Sequence, residues 1–334
     1  MRSTLGTLNV VSGDEQQAFR TPGAAETDST TISDARLIAM LRRAPRAGAV
    51  ELARATGMTR ASAAARLSRL LGSGTVRVVA GPHPALTGET ALGHVSVTTE
   101  GSPRAVAERI ARIPSANFVS LVGGDPGVVA ELRQSDLAAL HDDLALVREL
   151  PGVVQTETSV YTDVVIDALL PSRSAALTHQ PDAVDRLLIR ELRRDGRASF
   201  VRLGAVADLS PAAARQRCLR LLEGNAIRIG VLTDRTSGDR RLSAGFGLST
   251  RGADGDLLDA LAREAGIEFL SRALGRFDVI GTVADDDSGR LHAALDRILS
   301  HPAVRRGRTW VHLALLRETY EEALREPEKP APLV

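Results

Sequence analysis

Apolar residues recur every three or four positions in some stretches of this chain and every second position in others. The two rhythms alternate twice along its length. In the later half, Val184, Leu188 and Leu192 stand at i, i+4 and i+8, and the run ends at "RDGR", which predicts a helix and its stop. A short helix is expected around Val201–Ala207. Then comes "LSP", where Ser210 suits an N-cap and Pro211 the first helical position. In the helix that follows, Ala214, Cys218, Leu221 and Leu222 form one apolar stripe. Arg215, Gln216, Arg217 and Arg220 lie off that stripe, because residues three and four apart are neighbours on a helix. "EGN" ends it and "AIRIG" reads as a short strand. Helix, helix, turn, helix, strand is the order of a winged helix-turn-helix, whose third helix enters the major groove. An earlier stretch follows the same plan: Thr59 as cap, Ala63, Leu67, Leu70 and Leu71 inward, and Arg60, Ser62, Arg66 and Arg69 outward. In a single copy, an ordinary amphipathic helix with a solvated arginine face gives the same pattern. Two copies with matching cap, stripe and arginine pair favour DNA reading.

Turn-rich linkers, "GPHPALTGET" and "DRTSGDRR", then lead into stretches of a different kind. The first is expected to form a strand near His94–Thr98, a helix Pro103–Ile113, strands Asn117–Val122 and Val128–Leu132 around the loop "GGDPG", a helix Asp136–Leu150 and a strand Val153–Val165. The second gives Phe246–Ser249, Leu257–Ala265, Glu268–Ala273, the loop "GRFD", Val279–Val283, Leu291–Leu299 and Arg308–Leu316. Both read β-α-β-β-α-β, the ferredoxin-like order. Displacing the chain by 151 residues lays Asp34 on Asp185, Leu37 on Leu188, Arg66 on Arg217, Arg69 on Arg220, Phe118 on Phe269, Gly124 on Gly275 and His141 on His292. One gapless register over residues 34–168 predicts a duplicated two-domain unit, with a period far too long for a solenoid. The expected fold class is α+β: a flexible tail at 1–30, a winged helix-turn-helix at 31–80, a ferredoxin-like domain at 90–170, a linker at 171–181, a second winged helix-turn-helix at 182–231, a second ferredoxin-like domain at 241–322 and a Pro-rich tail at 323–334.

A net charge of +1 looks unsuited to nucleic acid until it is divided along the chain. Residues 31–80 hold nine Arg against two acids and residues 182–235 hold eleven against seven, whereas 100–170 hold five against eleven and 254–322 nine against thirteen. Two basic modules alternate with two acidic ones, an electrostatic footprint hidden in a neutral total. The single cysteine, Cys218, excludes an internal disulfide framework and a thiolate metal cluster. No stretch nears the ~20 apolar residues of a membrane helix. The N-terminus has no apolar core behind a basic start, and a cytoplasmic protein with no membrane partner is expected.

"PDAVDRLLIRELRRDGRAS", "LSPAAARQRCLRLLEGNAIRI" and "LGRFDVIGTV" resemble the Lrp/AsnC family of bacterial transcription regulators. That family joins an N-terminal winged helix-turn-helix to a βαββαβ effector domain, the RAM domain. The resemblance covers nearly the whole chain in two copies. It implies oligomers that bind double-stranded operator DNA and respond to small effectors such as amino acids, bound near a loop of the form G-D-x-D. Carried over, that loop falls on Gly124, Asp125, Pro126 and Gly127, and on Gly275, Arg276, Phe277 and Asp278. The chain departs from the pattern at Gly127, where an acid is expected, and at Arg276, where the first acid often stands. An effector's ammonium group would meet a different charge partner in each half. The bland alternative is that both loops are only tight hairpin turns, Gly and Asp being turn formers. Two units in one chain can pair as a pseudo-dimer, and such chains would assemble further as homo-oligomers.

No cofactor and no metal site are expected: the seven histidines contain no His-x3-His pair. His141 and His292 read as structural, His83 and His94 as lying in or near loops, Cys218 as a small core residue and Trp310 as core or interface. "DDD", Asp285–Asp287, reads as a solvated loop at a helix N-terminus. Siroheme decarboxylases resemble the same family and pair two such units, but are expected to carry signatures such as "HNY"; the corresponding stretches here read "ANFVSLVGGDPG" and "IEFLSRALGRFD". The expectation is therefore a regulator and not an enzyme, with a decarboxylase-like enzyme, or an effector sensor without DNA binding, as alternatives.

Overall fold

The structure, a computed structural model, describes residues 24–171, 176–233 and 241–318; the Pro-rich tail and most of the N-terminal tail lie outside them. The first three-helix unit comprises α1 (Ala24–Arg43), α2 (Ala49–Thr56) and α3 (Arg60–Gly72), followed by β1 (Val76–Pro82). Helix α1 begins inside the stretch expected to be a flexible tail. Between Gly23 and Pro45 the chain contains no glycine or proline, so nothing in it stops the helix earlier. The turn-rich linker contains a one-turn helix, α4 (Pro84–Thr87). Then come β2 (Ala91–Thr99), α5 (Pro103–Ile110), β3 (Ala116–Val122), β4 (Val128–Gln134), α6 (Leu137–Glu149) and β5 (Val153–Ile166). The second three-helix unit is α7 (Ala183–Arg194), α8 (Phe200–Ala207) and α9 (Pro211–Glu223), with β6 (Ile227–Thr233) after it. The chain closes with β7 (Leu242–Thr250), α10 (Gly255–Arg263), β8 (Ile267–Gly275), β9 (Val279–Asp285), α11 (Ser288–Leu299) and β10 (Val304–Glu318).

Each β-α-β-β-α-β stretch forms an antiparallel sheet in the ferredoxin-like order, β5-β2-β4-β3 and β10-β7-β9-β8. Alternation along the strands sends one set of side chains outward, where Val95 and Val97 pack under α5 and α6, and Phe246 and Leu248 under α10 and α11. Neither sheet keeps a free edge. β5 pairs with β8 and β10 with β3, closing one eight-stranded barrel from both halves. The two seams match residue for residue. Tyr161 pairs with Ala273, Asp163 with Arg272 and Val164 with Ser271; 151 residues away in the same sense, His312 pairs with Val122, Ala314 with Leu121 and Leu315 with Ser120. The bulges fall at equivalent places in both seams.

The three-helix units follow the same two-fold relation. β1 and β6 pair antiparallel with Val79 opposite Gly230, its own counterpart 151 residues later, so the axis passes between them. Arg46 donates to the carbonyls of Gly196 (2.6 Å) and Ala198 (2.8 Å), and Arg197 donates to those of Pro45 (2.5 Å) and Ala47 (2.8 Å). This reciprocity is that of an isologous interface, here within one chain. Burial and the neighbouring Arg46 charge lower the pKa of Arg197. Below the β1–β6 pair, Asp167 accepts from the N–H groups of Leu169 (2.7 Å) and Leu170 (2.8 Å), tightening the turn after β5. That turn crosses both strands where they carry glycine: a Cβ on Gly81 would overlap the Leu169 carbonyl, and one on Gly230 the Ala168 carbonyl. Among the described residues no helix is long and apolar enough to cross a membrane.

Gly230→Ala is expected to push β1 and β6 off this turn and to destabilise the chain by about 1–3 kcal/mol. Gly72→Ala, in the last turn of α3 with no atom within 4 Å of the new methyl, is the control and should leave stability unchanged or raise it by up to about 1 kcal/mol. Thermal denaturation of the two variants beside the parent protein checks both.

Candidate nucleic-acid interface and internal chamber

Side-chain caps set the start of each third helix. Thr59 Oγ1 accepts from the N–H of Ser62 (3.2 Å) and Ser210 Oγ from that of Ala213 (3.2 Å), each satisfying a donor that the first turn leaves open. Ser210, expected at DNA, therefore serves the helix with its hydroxyl. Arg60, Arg215, Gln216 and Arg220 are exposed along α3 and α9, and Ser62 is half-buried. Two of the expected DNA contacts are placed differently. Arg66 and Arg217 are half-buried and face back onto the first helix of their own unit. Arg66 Nη1 lies 2.9 Å from Asp34 Oδ1, and Arg217 Nη1 lies 2.7 Å from Asp182 Oδ2 and 2.8 Å from Asp185 Oδ1. Asp185 is almost fully buried, and a buried carboxylate needs a cation and hydrogen bonds to stay charged. The bonds to Asp182 and Asp185 raise the pKa of Arg217; the N–H of Asp185, then Arg217, lower that of Asp182. Arg69 also reaches Asp34 (2.5 Å), yet more than half of its side chain stays exposed.

The two expected effector loops converge at the barrel end away from the β1–β6 pair. Arg276 and Arg308 both lie 3.4 Å from Glu157 Oε2, and Arg308 also donates to the backbone carbonyl of Asp125. Glu157 and Arg308 are counterparts in the 151-residue register, so an ionic cluster sits on the axis and bridges both loops. Gly124 (φ 93°) and Gly275 (φ 122°) take left-handed backbone, and Gly275 packs against the Thr158 carbonyl. The Asp125 carboxylate accepts from Thr98 Oγ1 (2.7 Å). Asp278 accepts from the N–H of Thr250 (2.7 Å), which ties its loop to the end of β7. Phe277 corrects the loop expectation most clearly. It is buried in the barrel, 6.3 Å from Trp310 between ring centroids, because Gly247 leaves room for its ring.

Inward-facing residues of the strands build a chamber that the sequence reading missed. Five aromatic residues, Phe118, Tyr161, Phe269, Phe277 and Trp310, gather there in a chain with only one Trp, two Tyr and six Phe. His94, expected near a loop, lies in β2 with its ring 5.4 Å from that of Trp310. A cavity of about 400 Å³ lies between these side chains and the three-helix units, with Arg42 and Arg43 of α1 and Arg228 of β6 on its far side. Burial lowers the pKa of His94 to about 4, so its imidazole is uncharged at neutral pH. Burial raises the pKa of Glu131, which accepts the Tyr161 hydroxyl at 2.7 Å. Glu268 is held by Arg42 (3.4 Å) and Arg241 (3.2 Å). The Trp310 indole N–H is buried without a hydrogen-bond partner among the described residues. His141 and His292, read as structural, are exposed on the outer faces of α6 and α11. Cys218 is buried in the core of the second three-helix unit, as expected, and Asp287 caps α11.

His94 takes up its proton more readily in the unfolded chain, at pH about 6.5, than in the fold, at about 4. Stability is therefore whole above pH about 6.5 and falls as pH drops towards 4, by at most about 3 kcal/mol from this residue. In His94→Asn that pH-dependent share should vanish, which denaturant titrations of both proteins between these pH values measure.

Residues 90–169 match the Lrp/AsnC ligand binding domain and residues 182–222 the AsnC-type helix-turn-helix domain. Among solved structures, the chain is similar to the siroheme decarboxylase NirDL, with TM-score 0.53 and 11% identity over 86% of this chain and 92% of that one. NirDL in complex with an iron-uroporphyrin III analogue gives 0.53 and 11% over 87% and 95%. AsnC of E. coli gives 0.34 and 18% over 41% of this chain and 94% of that one. The likeness to NirDL is one of fold. No curated protein matches the chain. The chain thus joins a ligand-binding domain of the Lrp/AsnC kind to a helix-turn-helix domain of the AsnC kind.

Proposed function

We propose that this protein is a sequence-specific DNA-binding regulator, not an enzyme, made of two tandem AsnC-like units and modulated by a small molecule. In this reading residues 31–80 form a second winged helix-turn-helix beside the matched one. The reciprocal Arg46 and Arg197 bonds carry the reading, because they hold α3 and α9 in a fixed two-fold relation, the arrangement that meets two half-sites on one duplex. The two reading faces differ. One offers Arg60, Ser62 and Arg69, the other Arg215, Gln216 and Arg220, so the operator need not be palindromic. Arg66 and Arg217 act as positioning residues that fix the reading helices through Asp34 and Asp185. Pairs or rings of such chains would correspond to the larger oligomers of single-unit relatives.

DNA binding measured over a salt series on selected operator fragments tests this. Arg215→Ala is expected to change preference in one half-site at a cost of ~1–3 kcal/mol if it reads a base, or to flatten the salt slope by about one unit if it holds a phosphate. Arg60→Ala should act on the other half-site. Arg217→Ala should instead weaken binding to all sequences alike and lower the melting temperature. A parent protein that prefers no fragment over random duplex overturns the reading. A second reading, an enzyme like the siroheme decarboxylases, is favoured by the fold likeness over nearly the whole of both chains. Release of carbon dioxide on incubation with siroheme would select it.

A further inference from the structure

The chamber lacks the symmetry of the barrel that encloses it. In the 151-residue register the counterpart of His94 is Gly245, that of Ser159 is Trp310 and that of Tyr161 is His312. The missing side chain of Gly245 is what admits the indole, since a Cβ there would overlap Trp310 Nε1. One half of the lumen thus supplies the His94 imidazole, and the other a tryptophan laid over a glycine together with the His312 imidazole beside Phe118. A site built this way exists once per chain, not twice.

The chemistry of the walls selects a ligand class. Flat rings form the floor: Trp310 is tilted by 32° against His94, and Phe118 and Phe269 stand at counterpart positions on the flanks. Such a floor takes a planar ring by offset stacking. The buried indole N–H costs free energy while it lacks an acceptor, and a ligand oxygen or ring nitrogen removes that cost. The acids that line the chamber are already engaged: Glu268 by two arginines, Glu131 by the Tyr161 hydroxyl, Asp167 by Arg133 (3.9 Å) and the N–H groups of its turn, and Glu318 within its own surroundings. Arg43 and Arg228, by contrast, are exposed at the opening and form no ion pair among the described residues. A guanidinium pairs well with a carboxylate. A volume of about 400 Å³ lies in the range of small-molecule sites, towards its lower end.

We propose that the chamber binds one compact aromatic carboxylate per chain, its ring on Trp310 and His94, an acceptor on the Trp310 indole N–H and its anionic group towards Arg43 and Arg228. This rests on the regulator reading only in giving that regulator its effector, and it places the effector site inside the barrel rather than at the two loops. The site adjoins both modules, since Arg42 of α1 bonds Glu268 of β8 and Thr233 of β6.

The test uses the full chain without DNA. Trp310 is the only tryptophan, so intrinsic fluorescence reports on the chamber alone. Benzoate and nicotinate are titrated by fluorescence and calorimetry. Cyclohexanecarboxylate, benzyl alcohol and uroporphyrin are the saturated, uncharged and tetrapyrrole comparisons. The expected result is saturable binding of benzoate or nicotinate at one site per chain, with cyclohexanecarboxylate and benzyl alcohol about tenfold weaker. Arg43→Ala combined with Arg228→Ala should weaken the aromatic acid about tenfold while the melting temperature stays that of the parent. Trp310→Phe, followed by calorimetry, should also weaken it. Absence of saturable heat or emission change with both acids overturns the proposal. So does equal binding of cyclohexanecarboxylate, undiminished binding in the double variant, or uroporphyrin binding that neither acid competes with. Operator binding by a chain that takes no aromatic acid would sink this inference alone, and acid binding by a chain blind to DNA would sink the regulator reading alone.

Discussion

The structure depends on the pairing of sheet edges between the two halves. A four-stranded ferredoxin-like sheet leaves two rows of unsatisfied backbone groups. Here β5 meets β8 and β10 meets β3, so each half completes the other and no edge remains. Both seams have the same register and the same bulges, which makes the two-fold relation a property of backbone hydrogen bonding before any side chain is considered. The strand pair β1–β6, with Val79 opposite Gly230, obeys the same axis. The arginine pair across the three-helix units follows from it. Arg46 and Arg197 find their carbonyls because the axis carries each to the partner's turn.

Symmetry in the backbone leaves the side chains free to diverge, and they diverge where the halves face each other. Outward positions keep their apolar character in both halves, as Val95 and Phe246 do under their helices. Inward positions are mixed: Phe118 and Phe269 match, whereas His94 corresponds to Gly245 and Ser159 to Trp310 in the register. The loop end diverges by charge, with Asp125 in one half and Arg276 in the other, joined through Glu157 and Arg308. A single-unit protein that pairs by symmetry must use the same residue on both sides of its axis. A chain that carries both units can place a cation opposite an anion and an indole opposite a glycine.

Local signals made much of this legible in the sequence. The caps Thr59 and Ser210 and the apolar stripe through Ala214 and Cys218 report on nearest neighbours along a helix, and the structure has them as read. Arg66 and Arg217 meet carboxylates for a reason that periodicity does not show. An amphipathic pattern separates an apolar face from a polar one, but it does not say whether the polar face meets solvent or a carboxylate on the next helix. The register did hold the clue, since Asp34 recurs as Asp185 just as Arg66 recurs as Arg217. The barrel left no such clue. Edge pairing joins residues more than a hundred positions apart, and alternation gives the side of a strand without saying what lies opposite. Phe277 is therefore expected in a loop and His94 at the edge of a strand near one, though both are buried inside.

Closure within one chain also limits how any ligand can act on the helices. Units joined by backbone pairing cannot separate without breaking three strand pairings, β5–β8, β10–β3 and β1–β6, so dissociation is a poor switch for this architecture. What can shift is the seat of the three-helix pair on the barrel, a joint made of polar contacts and one tight turn. Arg42 reaches from α1 to Glu268 and Thr233, and the Asp167 turn presses on Gly81 and Gly230. A ligand moves such a joint only by as much as it prefers one seat over another. A molecule bound between the barrel floor and Arg43 and Arg228 touches both sides of the joint, and so has contacts that differ between seats. A molecule at the loop end touches only the barrel, and would have to act through the full length of a closed, hydrogen-bonded wall.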